Sequence, residues 1–213
     1  MKAQKRSAVK DERRAEIYRT AAQIILRKGY DATSVNDIAD ALGITKAGLY
    51  HYVSGKKDLL FDIMSFGLDE LDEEVARPAQ AIADAEARLR FVITTHASMV
   101  TRGQGAITIL VDEITALTPA QNRKITRRKR EYFDCLRSTL DQLKAEGKLR
   151  DVNTTAAAFN ILGMISWLSR WFRHGGELDD RQVGEEILKI ALGGILRPEA
   201  RAPRHGLQLV NSE

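Results

Sequence analysis

The stretch from Thr33 to Leu60 constrains the fold more than any other part of the chain. Its first half, TSVNDIADALG, places apolar residues at the spacing of one helical face, and Gly43 follows where a helix C-terminus favours a left-handed residue. Thr45 then stands as the N-cap of a second short helix, and the small side chain of Ala39 lets the two helices cross closely. Two short helices joined by such a turn predict a helix-turn-helix, the motif that reads the DNA major groove.

The second helix of this motif, from Lys46 to Tyr52, is where DNA sequence specificity would reside. Leu49 is its one strongly apolar aliphatic residue, so we expect it to face the interior of the domain. Small Ala47 and Gly48 let the backbone approach a groove, while the lysine, tyrosine and histidine side chains reach phosphates or base edges. The alternative is an ordinary amphipathic helix whose aromatic residues only pack. The predicted DNA-binding residues are Thr33, Ser34, Thr45, Lys46, Ala47, Gly48, Tyr50, His51, Tyr52 and Lys56.

The positive charge of the chain is concentrated at this end. Residues 1–60 hold 12 Lys and Arg against 7 Asp and Glu, whereas the remaining residues hold 21 against 22. Such an excess beside a helix-turn-helix is what the neutralisation of DNA phosphates requires. Residues 1–10, MKAQKRSAVK, are basic and show no apolar periodicity, so we expect a flexible basic arm that can lie along DNA.

The run TSVNDIADALGITKAGLYHYVSGKKDLL resembles the N-terminal DNA-binding domain of TetR-family transcriptional repressors. The matching features are the Thr-Ser opening, Ile-Ala and Ala-Leu-Gly-Ile, then Gly-Leu-Tyr-His-Tyr and the closing Asp-Leu-Leu, and the resemblance spans about Ala15 to Phe66. Two departures are Gly55, where serine is expected as a helix cap, and Lys57, where glutamate is common. The resemblance implies a homodimeric repressor that binds a palindromic operator in double-stranded DNA and is released by a small-molecule effector.

The overall pattern indicates an all-α protein of about nine helices. The chain has only 4 Pro and no Asn-Gly hairpin signals. We predict an N-terminal three-helix helix-turn-helix DNA-binding domain at residues 11–55, a C-terminal helical ligand-binding and dimerisation domain at 56–197, and a loose tail at 198–213. A connecting helix at 56–76 would join the domains and end before Pro78. The later helices are expected near 83–102, 105–116, 119–147, 153–174 and 179–196.

Several classes of protein do not fit this sequence. It contains no phosphate-binding glycine loop, no Cys-x-x-Cys and no His-Glu-x-x-His, and its 4 His residues are scattered, so we predict no enzyme, metal site or cofactor. Cys135 is the single cysteine, which excludes an internal disulfide and is typical of a reducing compartment. No apolar run reaches about 18 residues, so we expect a cytoplasmic protein without a membrane span.

Apolar stripes in the C-terminal half predict a cavity for a small molecule. His96 is the only polar residue on the stripe of its helix, and it is either a satisfied core histidine or a polar contact within that cavity. The basic run at 124–130 is either a solvated face or a receptor for an anionic group. The predicted effector-binding residues are Ile93, His96, Met99, Val100, Leu110, Arg128, Tyr132, Met164, Trp167, Arg170 and Trp171.

The helix predicted at 153–174 is apolar nearly all round, so one side should face the core and another a partner subunit. It resembles the corresponding helix of TetR-like regulators that respond to acyl-CoA thioesters: Trp167, Arg170 and Trp171 match, while Ser166 and His174 depart. That resemblance implies an acyl-CoA effector from fatty-acid or related catabolism. The predicted dimer interface consists of Leu168, Phe172, Val183, Ile187, Ile190 and Gly194.

Two alternatives to this function remain open. A TetR-type repressor with a promiscuous aromatic cavity would bind drug-like lipophilic cations, whereas an arginine-lined cavity would prefer anions. The other alternative is a helical interaction protein that uses its helix-turn-helix only for packing against protein partners. Binding to upstream DNA distinguishes that alternative from a repressor.

Overall fold

The computed structural model describes residues 2–103, 105–112 and 116–197. The tail predicted at 198–213 lies outside the described residues. Within the described ranges the chain is helical, with one isolated antiparallel bridge between Leu149 and Leu196. In this part of the chain, the predicted all-α architecture of about nine helices is confirmed. The helices are α1 (Lys2–Lys28), α2 (Val35–Ala41), α3 (Lys46–Tyr50), α4 (Lys56–Leu71, continued below), α5 (Ala85–Thr101), α6 (Gly105–Asp112), α7 (Pro119–Ala145), α8 (Thr154–Trp171) and α9 (Asp180–Ile195).

Side-chain caps define where the shorter helices begin. Ser34 accepts from the backbone N–H of Asp37, and the Asp37 carboxylate accepts from the backbone N–H of Ser34 in return, so α2 opens with a capping box. Thr45 caps α3 by accepting from the N–H of Gly48. Gly43, between the two helices, has a φ of 64°, the left-handed conformation predicted for the turn. These local signals, all legible in the sequence, produce the helix-turn-helix.

Helix α1 begins at Lys2, nine residues before the predicted start at Asp11. The expected flexible arm at residues 1–10 is therefore helical from Lys2 onward. The physical reason is composition: Lys, Ala, Gln and Arg have high helix propensity, and the segment contains neither Gly nor Pro to interrupt the helix.

The connecting helix α4 also runs further than predicted. From Lys56–Leu71 it continues through a π-helical turn, Asp72–Ala76, and a last α-helical turn, Arg77–Gln80, so Pro78 lies within it. Proline has no N–H and its ring crowds the carbonyl one turn earlier, which ordinarily kinks or ends an α-helix. Directly before Pro78, the N–H of Arg77 donates to the carbonyl of Asp72 and closes the wider π turn, so the regular α-helical hydrogen-bond pattern is already interrupted where the proline stands.

Helix α6 joins the two halves of the molecule, because it packs against both α1 and α4. At the crossing with α4, a Cβ placed on Gly67 would lie 2.7 Å from the carbonyl oxygen of Ala106. At the crossing with α1, a Cβ on Gly105 would lie 3.3 Å from the Cβ of Ala22. Two glycines therefore allow α6 to approach both neighbours closely. In the C-terminal half, α5 is the central helix and packs against α7, α8 and α9.

Candidate DNA interface and effector cavity

The helix-turn-helix presents one face of α3 to solvent. Leu49 is fully buried, as predicted, and fixes the helix to the domain core. Lys46, Ala47, Tyr50 and His51 are exposed on the opposite side, with 45% of Tyr50 accessible. A lysine, a tyrosine and a histidine beside a small alanine give this face donors for phosphates and base edges, and room for a close approach to DNA.

Not every predicted DNA contact is available to DNA. Thr33 is buried, and its hydroxyl donates to the carbonyl oxygen of Gly29 at 2.8 Å. The prediction that Thr33 contacts phosphate therefore needs correction, because this hydroxyl closes the turn after α1. Lys56 is partly buried; its Nζ lies 4.3 Å from the ring centroid of Tyr30 and donates to the carbonyl of Asp31 at 3.1 Å. Of the other predicted contacts, Ser34 and Thr45 are exposed caps, while Gly48 and Tyr52 are half-buried.

Helix α4 is connected by polar contacts to two of its neighbours, α1 and α7. On one side, Arg19 of α1 pairs with the buried Glu70 at 2.8 Å. On the other side, Arg128 of α7 pairs with Asp69 at 2.7 Å and donates to the carbonyl of Ser65 at 3.2 Å. A movement of α4 relative to α1 or α7 would break these contacts, so α4 mechanically links the DNA-reading end to the C-terminal half.

A mostly apolar cavity of about 110 Å³ lies between α4, α5, α6, α7 and α8; we call it the inner cavity. Its lining, apolar with a few polar side chains, is typical of a small-molecule site, and its volume is of the order that one small apolar group fills. The apolar lining residues are Leu68, Leu71, Val100, Ile107, Leu110 and Leu162. The polar lining residues are His96, Thr108, Lys129, Tyr132 and Ser166.

Three titratable side chains line the inner cavity. The Nδ1 atom of His96 lies 3.1 Å from the hydroxyl of Tyr132, and burial lowers the pKa of His96 to about 4, so the imidazole is neutral at pH 7. Burial raises the pKa of Tyr132. Lys129 donates from Nζ to the carbonyl oxygen of Leu110 at 2.6 Å, and burial lowers the pKa of this lysine. The cavity wall thus holds a neutral hydrogen-bonded pair and one desolvated ammonium group.

The burial of His96 predicts that stability depends on pH. The folded-state pKa of about 4 lies below the ordinary value of 6.5. Between these values the unfolded chain binds a proton that the folded chain excludes, so the free energy of unfolding falls as pH falls below about 6.5. In urea unfolding, we expect wild type to lose about 2 kcal/mol more than His96→Gln between about pH 7 and pH 5. Equal losses in the two proteins would contradict this assignment.

A second, more polar cavity of about 210 Å³ lies between α4 and α7; we call it the outer cavity. It shares Leu68, Leu71 and Tyr132 with the inner cavity, so the two are adjacent. The π turn of α4 contributes Asp72 and Ala76 to its wall. The remaining lining residues are Gln80, Arg128, Glu131 and Cys135.

The structure brings only some of the predicted effector residues together. His96, Val100, Leu110 and Tyr132 line the inner cavity, and Arg128 lines the outer one. The others lie elsewhere: Ile93 and Met99 are fully buried in the core, Met164 lines a groove between α8 and α9, and Trp167, Arg170 and Trp171 are exposed on the outer side of α8.

Sequence reasoning missed Lys129, which lines the inner cavity together with Thr108, Leu162 and Ser166. It lies in the basic run at 124–130, where Arg128 was the residue expected to face the effector. The signal was present: Lys129 comes three residues before Tyr132 and four after Ile125, so it shares their helical face.

The predicted dimer interface needs a similar correction. Leu168 and Val183 are buried within the subunit, and only 7% of Ile187 is exposed, so these residues belong to the subunit core. Phe172 is half-buried. Two of the predicted interface residues, Ile190 and Gly194, are exposed on α9. The other exposed residues that could extend this surface are Phe159, Gly163, Trp167 and Trp171 on α8 and Gly193 on α9. Both faces of α8 are apolar as predicted, but Leu168 lies on the core side, whereas Trp167 and Trp171, which were predicted to bind the effector, lie on the exposed side.

Comparison with known proteins identifies the family of this chain. The pattern described as "Bacterial regulatory proteins, tetR family" matches residues 17–63, and the pattern described as "Tetracyclin repressor-like, C-terminal domain" matches residues 83–195. The second match alone spans more than half of the chain. This chain belongs to the TetR family. It is a DNA-binding transcriptional repressor of the TetR type, as its helix-turn-helix resemblance indicated.

Individual relatives agree with this assignment over nearly their full length. The HTH-type transcriptional repressor KstR2 of Rhodococcus jostii is 28% identical over 191 residues, covering 89% of this chain and 94% of the relative. The structure of AibR in complex with isovaleryl coenzyme A and operator DNA is 38% identical, with a TM-score of 0.76, covering 84% of this chain and 97% of AibR. The ketosteroid regulator KstR2 of Mycobacterium tuberculosis is 28% identical, with a TM-score of 0.79, covering 87% and 96%.

None of the described helices is long and apolar enough to cross a membrane. Within the same part of the chain, no group of three or more His, Cys, Asp or Glu side chains is placed to hold a metal ion. The proteins that resemble this chain are transcriptional regulators.

Proposed function

We propose that this TetR-type repressor binds a palindromic operator as a homodimer and is released from it by an acyl-CoA thioester. The observation that carries the proposal is the placement of α6. This helix contributes Ile107, Thr108 and Leu110 to the inner cavity and packs against α1 and α4 of the DNA-reading end. A ligand in the cavity thus contacts the element on which the position of the reading head depends.

The acyl-CoA class is supported by two observations. AibR, which this chain resembles along nearly its whole length, has been crystallised with isovaleryl coenzyme A and operator DNA. The inner cavity is mostly apolar and is lined by a lysine rather than by a carboxylate among the described residues. A cationic wall disfavours the lipophilic cations that a multidrug-sensing repressor would bind and favours ligands with a carbonyl or carboxylate oxygen.

Release follows from a two-state coupling. A ligand that binds one arrangement of α6 and α4 more tightly shifts the population toward that arrangement. If this arrangement separates the two α3 helices from adjacent major grooves, ligand and operator weaken each other's binding by the same factor. The polar contacts of Arg19 and Arg128 to α4 are the bonds that such a shift would rearrange.

Two subunits would meet through the exposed apolar face of α8 and α9. A two-fold interface of this kind uses the same patch on both subunits, and the exposed glycines permit a close helix approach. This face carries four large apolar side chains that are open to solvent, Phe159, Trp167, Trp171 and Ile190, and 64% of both Trp167 and Ile190 is exposed. Covering these side chains supplies the apolar burial that a stable dimer needs.

The dimer face yields a prediction about assembly. Ile190→Asp places a charge at the centre of the apolar face, so we expect the variant to run as a monomer in light-scattering chromatography at concentrations where wild type is a dimer. Tyr50→Ala, which also removes an exposed apolar side chain but at the reading head, is the matched control and should remain a dimer. A dimeric Ile190→Asp would show that the subunits associate through another surface.

The proposed function is tested with the purified full-length protein and DNA from upstream of its own gene. We expect a sequence-specific mobility shift that is abolished by micromolar acyl-CoA but not by free CoA or the free acid. Thermal unfolding checks effector binding independently, since a ligand that binds the folded state raises its midpoint. A sequence-specific mobility shift that no acyl-CoA affects would support the repressor function but contradict the proposed effector class.

A further inference from the structure

We infer that the inner cavity receives a compact acyl group, no larger than about one six-membered ring, and that Lys129 binds its carbonyl oxygen. This inference rests on the proposed function and adds the size class of the effector and the residue that recognises it. It follows from three features of the described residues: the volume of the inner cavity, the hydrogen bonding of Lys129, and the charge of the outer cavity.

The volume of the inner cavity limits the acyl group. An apolar protein cavity of roughly 150 Å³ accommodates one benzene molecule. The inner cavity, at about 110 Å³, is of the same order and has a mostly apolar lining. It therefore suits a short or branched chain of about five carbon atoms. A fused ring system or a long straight chain would require its walls to move apart.

Lys129 is the one Lys or Arg among the described residues that line the inner cavity, and it is not paired with a carboxylate. Its neighbour Arg128 is bound to Asp69 and to the carbonyl of Ser65. Lys129, by contrast, forms no ion pair with any described residue, and its hydrogen bond in this part of the chain is to the carbonyl of Leu110. An ammonium group has three N–H donors, so two remain for a ligand.

A carbonyl oxygen is the acceptor that suits this position. Burial removes part of the hydration of the Lys129 ammonium group, and this desolvation lowers the pKa of the lysine. A polar acceptor placed against it restores part of that lost solvation, and an apolar chain beyond the acceptor fills the rest of the cavity. A thioester offers both: an oxygen for Lys129 and an acyl chain for the leucine-rich wall.

The outer cavity completes the argument for a thioester rather than a free acid. It adjoins the inner cavity at Tyr132, and its lining includes the acidic Asp72 and Glu131 together with Arg128, which is already paired. Asp72 and Glu131 are paired as well, with Arg77 at 2.7 Å and with Arg127 at 3.8 Å, so the described lining offers no unpaired cation to a phosphate. It suits a neutral chain with amide donors and acceptors. The amide-containing arm that joins an acyl group to CoA is such a chain, and the CoA phosphates would then lie beyond the outer cavity.

The test is isothermal titration of the full-length protein with a graded series of thioesters. Acetyl-CoA, isovaleryl-CoA and decanoyl-CoA are titrated into wild type, Lys129→Met and Lys144→Met. Lys144 is an exposed lysine on the same helix, outside both cavities, and serves as the matched control. We expect wild type to bind isovaleryl-CoA at least tenfold more tightly than decanoyl-CoA, Lys129→Met to lose at least tenfold in affinity for isovaleryl-CoA, and Lys144→Met to change less than twofold.

Each result bears on a separate part of the inference. Binding of decanoyl-CoA as tight as that of isovaleryl-CoA overturns the size class. Unchanged affinity in Lys129→Met, with the fold confirmed by circular dichroism, shows that the lysine only caps α6 and overturns its role in recognition. If Lys129→Met does not fold, Lys129→Arg is titrated in its place. This variant keeps N–H donors, so we expect it to retain most of the affinity for isovaleryl-CoA. Complete loss of binding by Lys129→Arg would overturn the proposed contact between residue 129 and the carbonyl oxygen. Specific operator binding without affinity for any thioester overturns the effector class and this inference with it, while leaving the repressor intact.

Discussion

Replacing Tyr50 by alanine is expected to weaken operator binding about a thousandfold while leaving the fold intact. Tyr50 is exposed on the reading face of α3, opposite the buried Leu49. A well-placed contact between a side chain and DNA contributes about 2 kcal/mol. Because the proposed dimer presents Tyr50 twice, the two losses together amount to about 4 kcal/mol, or about three orders of magnitude in the dissociation constant.

The measurement is fluorescence anisotropy with a labelled operator fragment at one fixed salt concentration, since affinity for DNA falls steeply with salt. Tyr50→Phe keeps the ring and removes the hydroxyl, so it separates a hydrogen bond to DNA from packing against the sugar and bases. Thermal unfolding of both variants should match wild type, because an exposed side chain contributes little to stability. Operator affinity within threefold of wild type for Tyr50→Ala would show that α3 is not the reading helix.

The helix-turn-helix was predictable because its determinants are local. A cap, a left-handed glycine and one apolar stripe each act within a few residues, and Gly43 and Thr45 adopt the predicted roles. Thr33 shows where local reasoning fails. A hydroxyl at a helix start can cap, contact phosphate or close the preceding turn, and the sequence pattern does not decide among these roles. Here the hydroxyl bonds to the carbonyl oxygen of Gly29, four residues earlier.

The sequence predicts that the C-terminal half holds a cavity for a small molecule, but it does not identify every residue that lines this cavity. His96 and Tyr132 line one cavity because each lies on the inward stripe of its helix. Helix α8 carries large apolar residues on all sides, so periodicity alone could not separate the side that faces α5 from the side left exposed. The buried Leu168 and the exposed Trp167 are neighbours in sequence, and only the packing of the whole domain decides between them.

Substituting Gly67 by alanine is expected to cost about 2 kcal/mol of stability and to uncouple effector binding from operator release. The added Cβ would lie 2.7 Å from the carbonyl oxygen and 2.8 Å from the carbonyl carbon of Ala106. These are backbone atoms of α6, so no side-chain rotation relieves the overlap, and α4 and α6 must move apart. The gain of up to about 1 kcal/mol from replacing glycine inside a helix offsets only part of this strain.

Gly184→Ala is the matched control, because Gly184 is also a buried helical glycine. A Cβ there would meet the Cβ of Ala97 at 3.6 Å, an ordinary contact, so we expect this variant to be as stable as wild type or slightly more stable. Urea unfolding measures the difference. Equal stability of Gly67→Ala and Gly184→Ala would contradict the close approach of α4 and α6.

The functional consequence of Gly67→Ala follows from the position of α6 between the cavity and the reading head. Separating α4 from α6 widens the inner cavity at Leu68 and loosens the support of α1, so the reading head is displaced even without effector. We therefore expect Gly67→Ala to bind the operator weakly without effector and to respond to acyl-CoA by less than twofold. A variant that is destabilised but still released normally by effector would show that the close crossing serves stability alone and that the signal reaches α4 through α7, by way of Arg128 and its contacts to Ser65 and Asp69.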